Sequence, residues 1–382
     1  AVADYTREVA FTVLNRFIAL KMLEARNLVQ QCVSRGELSS GFKEFVGLAS
    51  GLAELPDKGY RLYLECLFDE LSIEVKILFD RRDVASLLWP RRQALTGLLT
   101  ILNQPQLASA WDQDETIGWV YQYFNSSEER RKMRDESQTP RSSHELAVRN
   151  QFFTPRYVVE FLTDNTLGRL WYEIRQGDTR LKEQCRYLVR RPTEIFLKEG
   201  EEPLEQENDE NLKQEELLKQ PVYIPFRAKK DPRDLKILDP ACGSGHFLLY
   251  CFDLLLTIYE EAWHDEASPS ATDVPGPDGK SSAGTLREDY ETVDALHKAL
   301  PSLILQNNLH GVDIDARCAQ IAAFALWMRA QRAFNDLGLG RAIRPAIHKT
   351  NIVVAEPMPG ERDLLKEFTA KLQPPLLGQL VE

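Results

Sequence analysis

The sequence predicts an α/β fold in two parts: an α-helical domain over residues 1–149, then part of a doubly wound parallel-sheet domain over 150–382. Three observations predict it. In the first 150 residues apolar side chains recur at helical spacing, and few runs alternate with period two. At 236–249 the run Lys236-Ile237-Leu238-Asp239-Pro240-Ala241-Cys242-Gly243-Ser244-Gly245-His246-Phe247-Leu248-Leu249 reads as a short buried strand, a glycine-spaced turn and a helix start. A second apolar strand, Leu309-His310-Gly311-Val312-Asp313-Ile314-Asp315, ends in acids and leads into a helical pattern from Ala316 to Phe334.

A chain of 382 residues is long enough for two or three domains with buried cores. No apolar run reaches the roughly 18 residues of a membrane span, and the longest candidate, Phe247 to Tyr259, is interrupted by Asp253. The first ten residues already carry Asp4, Arg7 and Glu8, so no secretory signal is expected. The six cysteines (Cys32, Cys66, Cys185, Cys242, Cys251, Cys318) form no CxxC pair and have no histidine at zinc spacing. A reduced, cytoplasmic protein without a structural metal is expected. The net charge of −11 does not suggest a nucleic-acid binder, so any DNA contact must come from local basic surface or from a longer polypeptide.

In the helical front, Phe11, Leu14, Phe17, Ile18, Leu20, Met22 and Leu23 predict a long amphipathic helix over Ala10 to Gln31. Further helices are expected at about Gly59 to Phe79 and Asp83 to Leu102. Leu107 to Phe124 holds Trp111, Trp119, Tyr121, Tyr123 and Phe124, an aromatic cluster that suits either a core or a base-stacking surface, core being the ordinary case. Ser126 to Arg149 is rich in arginine and lysine, but Glu128, Glu129, Asp135 and Glu136 alternate with the bases. It reads as a solvated helix and linker, with a phosphate-contacting element as the functional alternative.

The stretch Asn150-Gln151-Phe152-Phe153-Thr154-Pro155-Arg156-Tyr157-Val158-Val159 predicts a helix capped by Thr154 with Pro155 at its first position. Gln176 to Arg233, acidic between Lys198 and Gln220, predicts an exposed loop or solvated helix. His264 to Gly284, with its prolines, glycines and serines, predicts a flexible surface loop, after which a helix resumes around Leu286 to Leu300.

Strand, turn and helix start after Asp239 form the arrangement in which backbone N–H groups and a helix N-terminus face a bound ligand, and Gly243 and Gly245 allow close approach. It departs from the dinucleotide fingerprint, because Leu248 stands where the third glycine belongs, and it lacks the Gly-Lys-Ser/Thr of a phosphate loop. An acid before the turn would repel a pyrophosphate and suit an ammonium group. Asp-Pro-Ala-Cys-Gly-Ser-Gly-His-Phe resembles motif I of the N6-adenine DNA methyltransferases, whose ligand is S-adenosylmethionine (SAM). Gln-Phe-Phe-Thr-Pro-Arg-Tyr-Val-Val resembles motif X of the γ order, which covers the methionine end of SAM, and Gly-Val-Asp-Ile-Asp resembles motif II.

The resemblance therefore implies a partial Rossmann-like, SAM-dependent methyltransferase domain after the helical front. Its cofactor would be held by Thr154, Pro155, Asp239, Pro240, Ala241, Gly243, Gly245 and Asp313. By analogy Asp239 meets the methionine ammonium, Thr154 the carboxylate and Asp313 the ribose diol, while Asp315 caps the next helix. Asp313 lies much farther from the glycine turn than the roughly 20 residues of an uninterrupted unit, and the Pro/Gly loop accounts for the excess. Ile347 to Val354 fits a third strand. The family has an acid there for the SAM adenine amine; Asn351 is the nearest match.

Methylating adenine N6 is hard because the nitrogen lone pair is delocalised into the ring. The family meets this with an Asp/Asn-Pro-Pro-Tyr/Phe loop that accepts hydrogen bonds from N6 and stacks on a flipped base. No such tetrapeptide occurs here, and Gln373-Pro374-Pro375-Leu376, the one Pro-Pro pair, reads as a turn. The catalytic residues are thus not identified, and an N-terminal piece ending before motif IV is expected. Leu14 to Glu24 and Ile117 to Phe124 resemble the front of large BREX-type (phage-growth-limitation) adenine methyltransferases, with related architectures in type I and fused restriction-modification enzymes. The implied partners are DNA, through the full-length protein, and specificity or defence-system subunits, with no membrane. The rival reading is a noncatalytic SAM-binding or scaffolding module of such a system.

Overall fold

The computed structural model describes all residues except 1, 49, 56–58, 125–126, 141–142, 151–153, 205–218, 273, 278, 280–282, 348–349, 356–365, 367–368 and 372–382. Phe152 and Phe153 of the motif X peptide, His348 and Lys349, and the Pro374-Pro375 turn therefore lie outside the described residues.

The front is helical as expected, with boundaries set by local chemistry. Its first helix, Val2–Ala25, ends before Gln31 because Asn27 turns left-handed (φ 55°). The following loop folds back onto the Glu24 carboxylate, which accepts from the backbone N–H groups of Cys32, Val33 and Ser34. The helix expected over Gly59 to Phe79 is two, Tyr60–Leu71 and Lys76–Phe79, broken where the Ser72 hydroxyl donates to the Asp69 carbonyl (2.8 Å). Pro90 interrupts the pattern from Asp83 to Leu102. What forms is a short 3₁₀ turn at Val84–Ser86, capped by Asp83, and the helix Arg92–Leu102.

The aromatic segment divides between the 3₁₀ stretch Pro105–Asp112 and the helix Thr116–Phe124. Trp111 and Tyr121 are buried in the core, whereas Trp119 and Tyr123 are exposed. The charged linker is two helices, Ser127–Glu136 and Ser143–Asn150.

Beyond it, Arg156–Thr163 continues through a π turn at Asp164–Gly168 into Arg169–Ile174. Within the insertion, on either side of the acidic stretch expected to be an exposed loop or solvated helix, β1 (Glu194–Phe196) pairs in parallel with β2 (Val222–Ile224). Three further strands, β3 (Ile237–Asp239), β4 (Leu309–Asp313) and β5 (Asn351–Val354), form a parallel sheet in the order β3-β4-β5. The register pairs Asp239 with Gly311, Asp313 with Val354 and Asn351 with His310. The crossover from β3 to β4 begins with the helix His246–His264, and that from β4 to β5 is built on Ala316–Asp336.

The described part of the Pro/Gly loop is folded rather than loose. Ala271, Val274 and Ala283 form a small buried cluster, and Ala283 N–H donates to the Val274 carbonyl (3.2 Å). Two helices follow it, Leu286–Asp289 with a Thr285/Glu288 capping box, and Val293–Leu303.

One hydrophobic cluster runs from Phe11 in the front to Ile352 in β5. Phe79 meets Phe324 edge-on with centroids 6.3 Å apart, and Trp327 Nε1 donates to Glu74 (2.7 Å). The change of sequence pattern near residue 149 is thus not a gap in packing. Among the described residues, no helix is long and apolar enough to cross a membrane.

Candidate functional site

β3 delivers the chain to a turn at the carboxyl ends of the strands. Gly243 (φ 54°) and Gly245 (φ 87°) adopt left-handed backbone there, which L side chains rarely do. A Cβ on Gly245 would lie 3.3 Å from that of Ala322, so the turn sits hard against the helix that follows β4. Cys242 N–H donates to the Val312 carbonyl (3.0 Å) and Gly243 N–H to Asp313 Oδ2 (2.8 Å). The other Asp313 oxygen accepts from Asp315 N–H (2.8 Å). One carboxylate therefore ties together the turns after β3 and β4.

Asp315 caps the helix Ala316–Asp336, as its position predicts, accepting from Arg317 N–H (2.9 Å). Its burial opposes charge, but hydrogen bonds from the Arg317 guanidinium and the Tyr121 hydroxyl hold its carboxyl below the usual range.

A cavity of about 250 Å³ opens at this end of the sheet. Thr154, Ala241, Gly243 and Asp313 all line it, so the turn before residue 156 and the turn after β3 enclose one space. Ser244, His246 and Ile314 complete that wall. Thr154 is not the helix cap: Pro155 occupies that position, its ring has no polar atom to cap with, and its carbonyl accepts from Val158 and Val159 N–H. Thr154 and His246 also line a neighbouring cavity of about 270 Å³ and so stand between the two.

The other expected residues are placed differently. Pro155, Asp239, Pro240 and Gly245 belong to the same two turns without lining the cavity. Asn351 lies at the amino end of β5, three positions from the strand end, with its amide donating to the carbonyls of Leu305 (3.1 Å) and Gln306 (2.8 Å). The structure does not bring it to the site, because the strand starts at that residue rather than ending near it.

The electrostatics of the site follow from burial. Asp239, whose carboxylate accepts from Ala241 N–H (3.2 Å), is raised above the usual carboxyl range by burial and by the negative charge of Asp313. Burial lowers His246 to about 4, which leaves a neutral imidazole, and pushes the Cys242 thiol up to about 12, aided by Asp313 and Asp239. The Cys242 thiol is buried and stays protonated at neutral pH.

Sequence reasoning missed the wall supplied by the helical front: Gly118, Tyr121 and Gln122 of Thr116–Phe124 line the same cavity. A clue was present, because an isolated glycine inside a helical pattern costs about 1 kcal/mol relative to alanine and usually has a packing reason.

The site is thus a glycine-turned strand–loop–helix with an acid at the next strand end and a cavity between them. Residues 226–347 match the DNA-methyltransferase domain of the MmeI family, a span that includes β3, its turn and β4. Along its length the chain is similar to the adenine-specific methyltransferase BrxX of Escherichia coli O9:H4 (strain HS), 28% identical over 358 residues, covering 88% of this chain and 25% of that protein. It is likewise similar to the adenine-specific methyltransferase PglX of Lacticaseibacillus casei (strain Zhang), 24% identical over 87% of this chain and 26% of that protein. A shorter match, 33% identical over 121 residues, is to a putative type II restriction enzyme and methyltransferase of Methanocaldococcus jannaschii. These matches support the resemblance to N6-adenine DNA methyltransferases of the BREX and phage-growth-limitation type. The chain spans about a quarter of the length of BrxX and PglX.

Proposed function

We propose that this chain is part of an adenine-specific DNA methyltransferase, and that it binds SAM at the carboxyl ends of β3 and β4 in a partial Rossmann-like domain. The whole protein would transfer the methyl group to adenine N6 in DNA within a restriction-modification or phage-defence system. Specificity or defence subunits would be its partners, and the cytoplasm its place. The observation that carries the reading is the shared cavity: Thr154, Ala241 to Gly243 and Asp313 come from three separate peptides and line one space.

The residues present suit the ligand. Each Asp313 oxygen accepts one backbone N–H. A carboxylate has about four acceptor sites, so two remain for a ribose diol. Asp239 is destabilised as an anion by burial and by Asp313, so a ligand ammonium beside the pair would be favoured by both charges. The space where Gly243 would carry a Cβ is open, which lets a ligand lie against its backbone. Thr154, relieved of capping, has its hydroxyl for the ligand carboxylate.

SAM supplies a methyl group on a sulfonium with a neutral leaving thioether. The task of these residues is then to bind and orient it, since placement of donor against acceptor supplies most of the rate in such a transfer. The Asp/Asn-Pro-Pro-Tyr/Phe residues that would accept the N6 protons are not among these 382. Calorimetric titration with S-adenosylhomocysteine should give saturable, one-to-one binding, and methylation-aware sequencing of a host carrying the intact gene should show N6-methyladenine at a fixed motif. A chain that folds and gives no binding heat at millimolar ligand would end this reading.

A further inference from the structure

We infer that the helical front forms one wall of the ligand site, and that the side-chain oxygen of Gln122 accepts a hydrogen bond from the nucleoside part of the bound ligand. The inference rests on the SAM-binding reading above and adds to it a recognition residue from outside the nucleotide-binding domain.

Three observations carry it. Gln122 lines the cavity, and its Oε1 is shielded from solvent with no hydrogen-bond partner among the described residues. A buried acceptor left unmet is costly, and such a group in a native fold calls for an explanation. A ligand donor in the cavity supplies one. The front is also in direct contact with the ligand turn. A Cβ on Gly118 would stand 2.7 Å from Ser244 Oγ and 3.3 Å from His246 Cε1, so only glycine lets the helix backbone approach this closely. Gly118 and Gln122 are one turn apart and share a helix face, so the contact that seats Gly118 also points Gln122 into the cavity. Finally, the helix is clamped to the strand end. The Tyr121 hydroxyl donates to Asp315 Oδ2 (2.5 Å), and Asp315 N–H in turn donates to Asp313. The acceptor is thus held in fixed relation to the carboxylate assigned to the ribose.

An amide oxygen recognises an N–H or O–H donor without adding charge. On the nucleoside the donors are the exocyclic adenine amine and the sugar hydroxyls; on the amino-acid tail there is the ammonium. S-adenosylhomocysteine carries both halves, and 5′-methylthioadenosine only the nucleoside.

The test is titration of the full natural chain and its Gln122→Met variant with both compounds, together with ligand-free melting curves. Methionine keeps the volume and removes the acceptor. The expected result is an affinity about five- to tenfold weaker for both compounds, with ligand-free Tm unchanged or raised because an unmet polar atom has gone. Weakening for S-adenosylhomocysteine alone would place the bond on the ammonium and overturn the assignment. Affinities unchanged for both, or a lowered ligand-free Tm with unchanged affinity, would make Gln122 structural and overturn it as well. Asp313→Ala separates the two levels of the argument. If that variant loses binding while Gln122→Met does not, the site stands and this inference falls. If the unmodified chain binds neither compound, the SAM reading itself has failed.

Discussion

The two ends of the β3-β4-β5 sheet are built on opposite terms. At the amino ends the polar groups satisfy one another. Asn308, fully buried, donates to the carbonyls of Pro232 (2.7 Å) and Leu235 (2.8 Å) and accepts from the Tyr259 hydroxyl (2.8 Å). Lys236 donates to the carbonyls of Arg233 and Asn307, and Asn351 to those of Leu305 and Gln306. Arg233, 1% exposed, pairs with Asp231 (2.7 Å) and Asp289 (2.5 Å). At the carboxyl ends, among the described residues, Asp239 has a single backbone donor, Asp313 keeps acceptor capacity, the Gln122 oxygen has no partner, and a cavity lies beside them. One end is closed and holds the fold; the other is left incomplete where a ligand can finish it. Ligands of open α/β sheets bind outside the carboxyl ends of the strands.

The contrast can be broken most forcefully at the closed end. Arg233→Met leaves Asp231 buried beside a thioether, and removing one partner of a buried pair typically costs about 3–5 kcal/mol. Urea unfolding should show a loss of that size, while the folded fraction binds S-adenosylhomocysteine as before. A change in affinity at constant folding would mean the ends are not independent.

Asp313→Ala acts at the open end. Loss of the ribose acceptor should weaken S-adenosylhomocysteine binding by about 1–3 kcal/mol, and the orphaned Gly243 and Asp315 N–H groups should lower stability by about 1 kcal/mol as well. Unchanged affinity would remove Asp313 from the ligand set. Asn351→Ala sharpens the comparison from the other side. It should lower stability by about 1 kcal/mol through the two carbonyls it leaves without a donor, with no effect on ligand affinity. A fall in affinity on calorimetry would restore Asn351 to the site.

Much of the open end was legible in the sequence, because its chemistry is local. A strand, two left-handed glycines and the acid after the next strand are each fixed by a few adjacent residues, and the helix cap at Asp315 follows from position alone. What was not legible depended on long-range packing. Asn351 lies in the expected strand, but strand register, not residue type, decides which end of the sheet it occupies. Gln122 and Gly118 sit in an aromatic helix that reads as core, and Tyr121 is core; only docking against the β4 helix turns the neighbouring face to the cavity. The short strands β1 and β2 flank an acidic stretch whose composition masks them.

The smallest effect expected is the one most specific to an incomplete end. In the ligand-free protein Asp239 is held above the usual carboxyl range by burial first and by the Asp313 charge, so ionisation at neutral pH works against the fold. For an acid whose folded pKa exceeds its unfolded value of about 3.9, both states are protonated well below that value and no penalty exists. As pH rises through the interval between the two values the unfolded state ionises first, and above the folded value the penalty is complete. Asp239→Asn keeps an oxygen for Ala241 N–H and removes the charge. It should therefore raise ligand-free stability at pH 7, by no more than about 1 kcal/mol as for ordinary single substitutions. The gain should disappear as pH falls below about 4. The same variant should weaken binding of S-adenosylhomocysteine, which has the ammonium, more than that of 5′-methylthioadenosine, which lacks it. A variant less stable than the parent at pH 7 would show that Asp239 is a structural anion like those at the closed end of the sheet, and a gain that persists in acid would show that the charge is not its source.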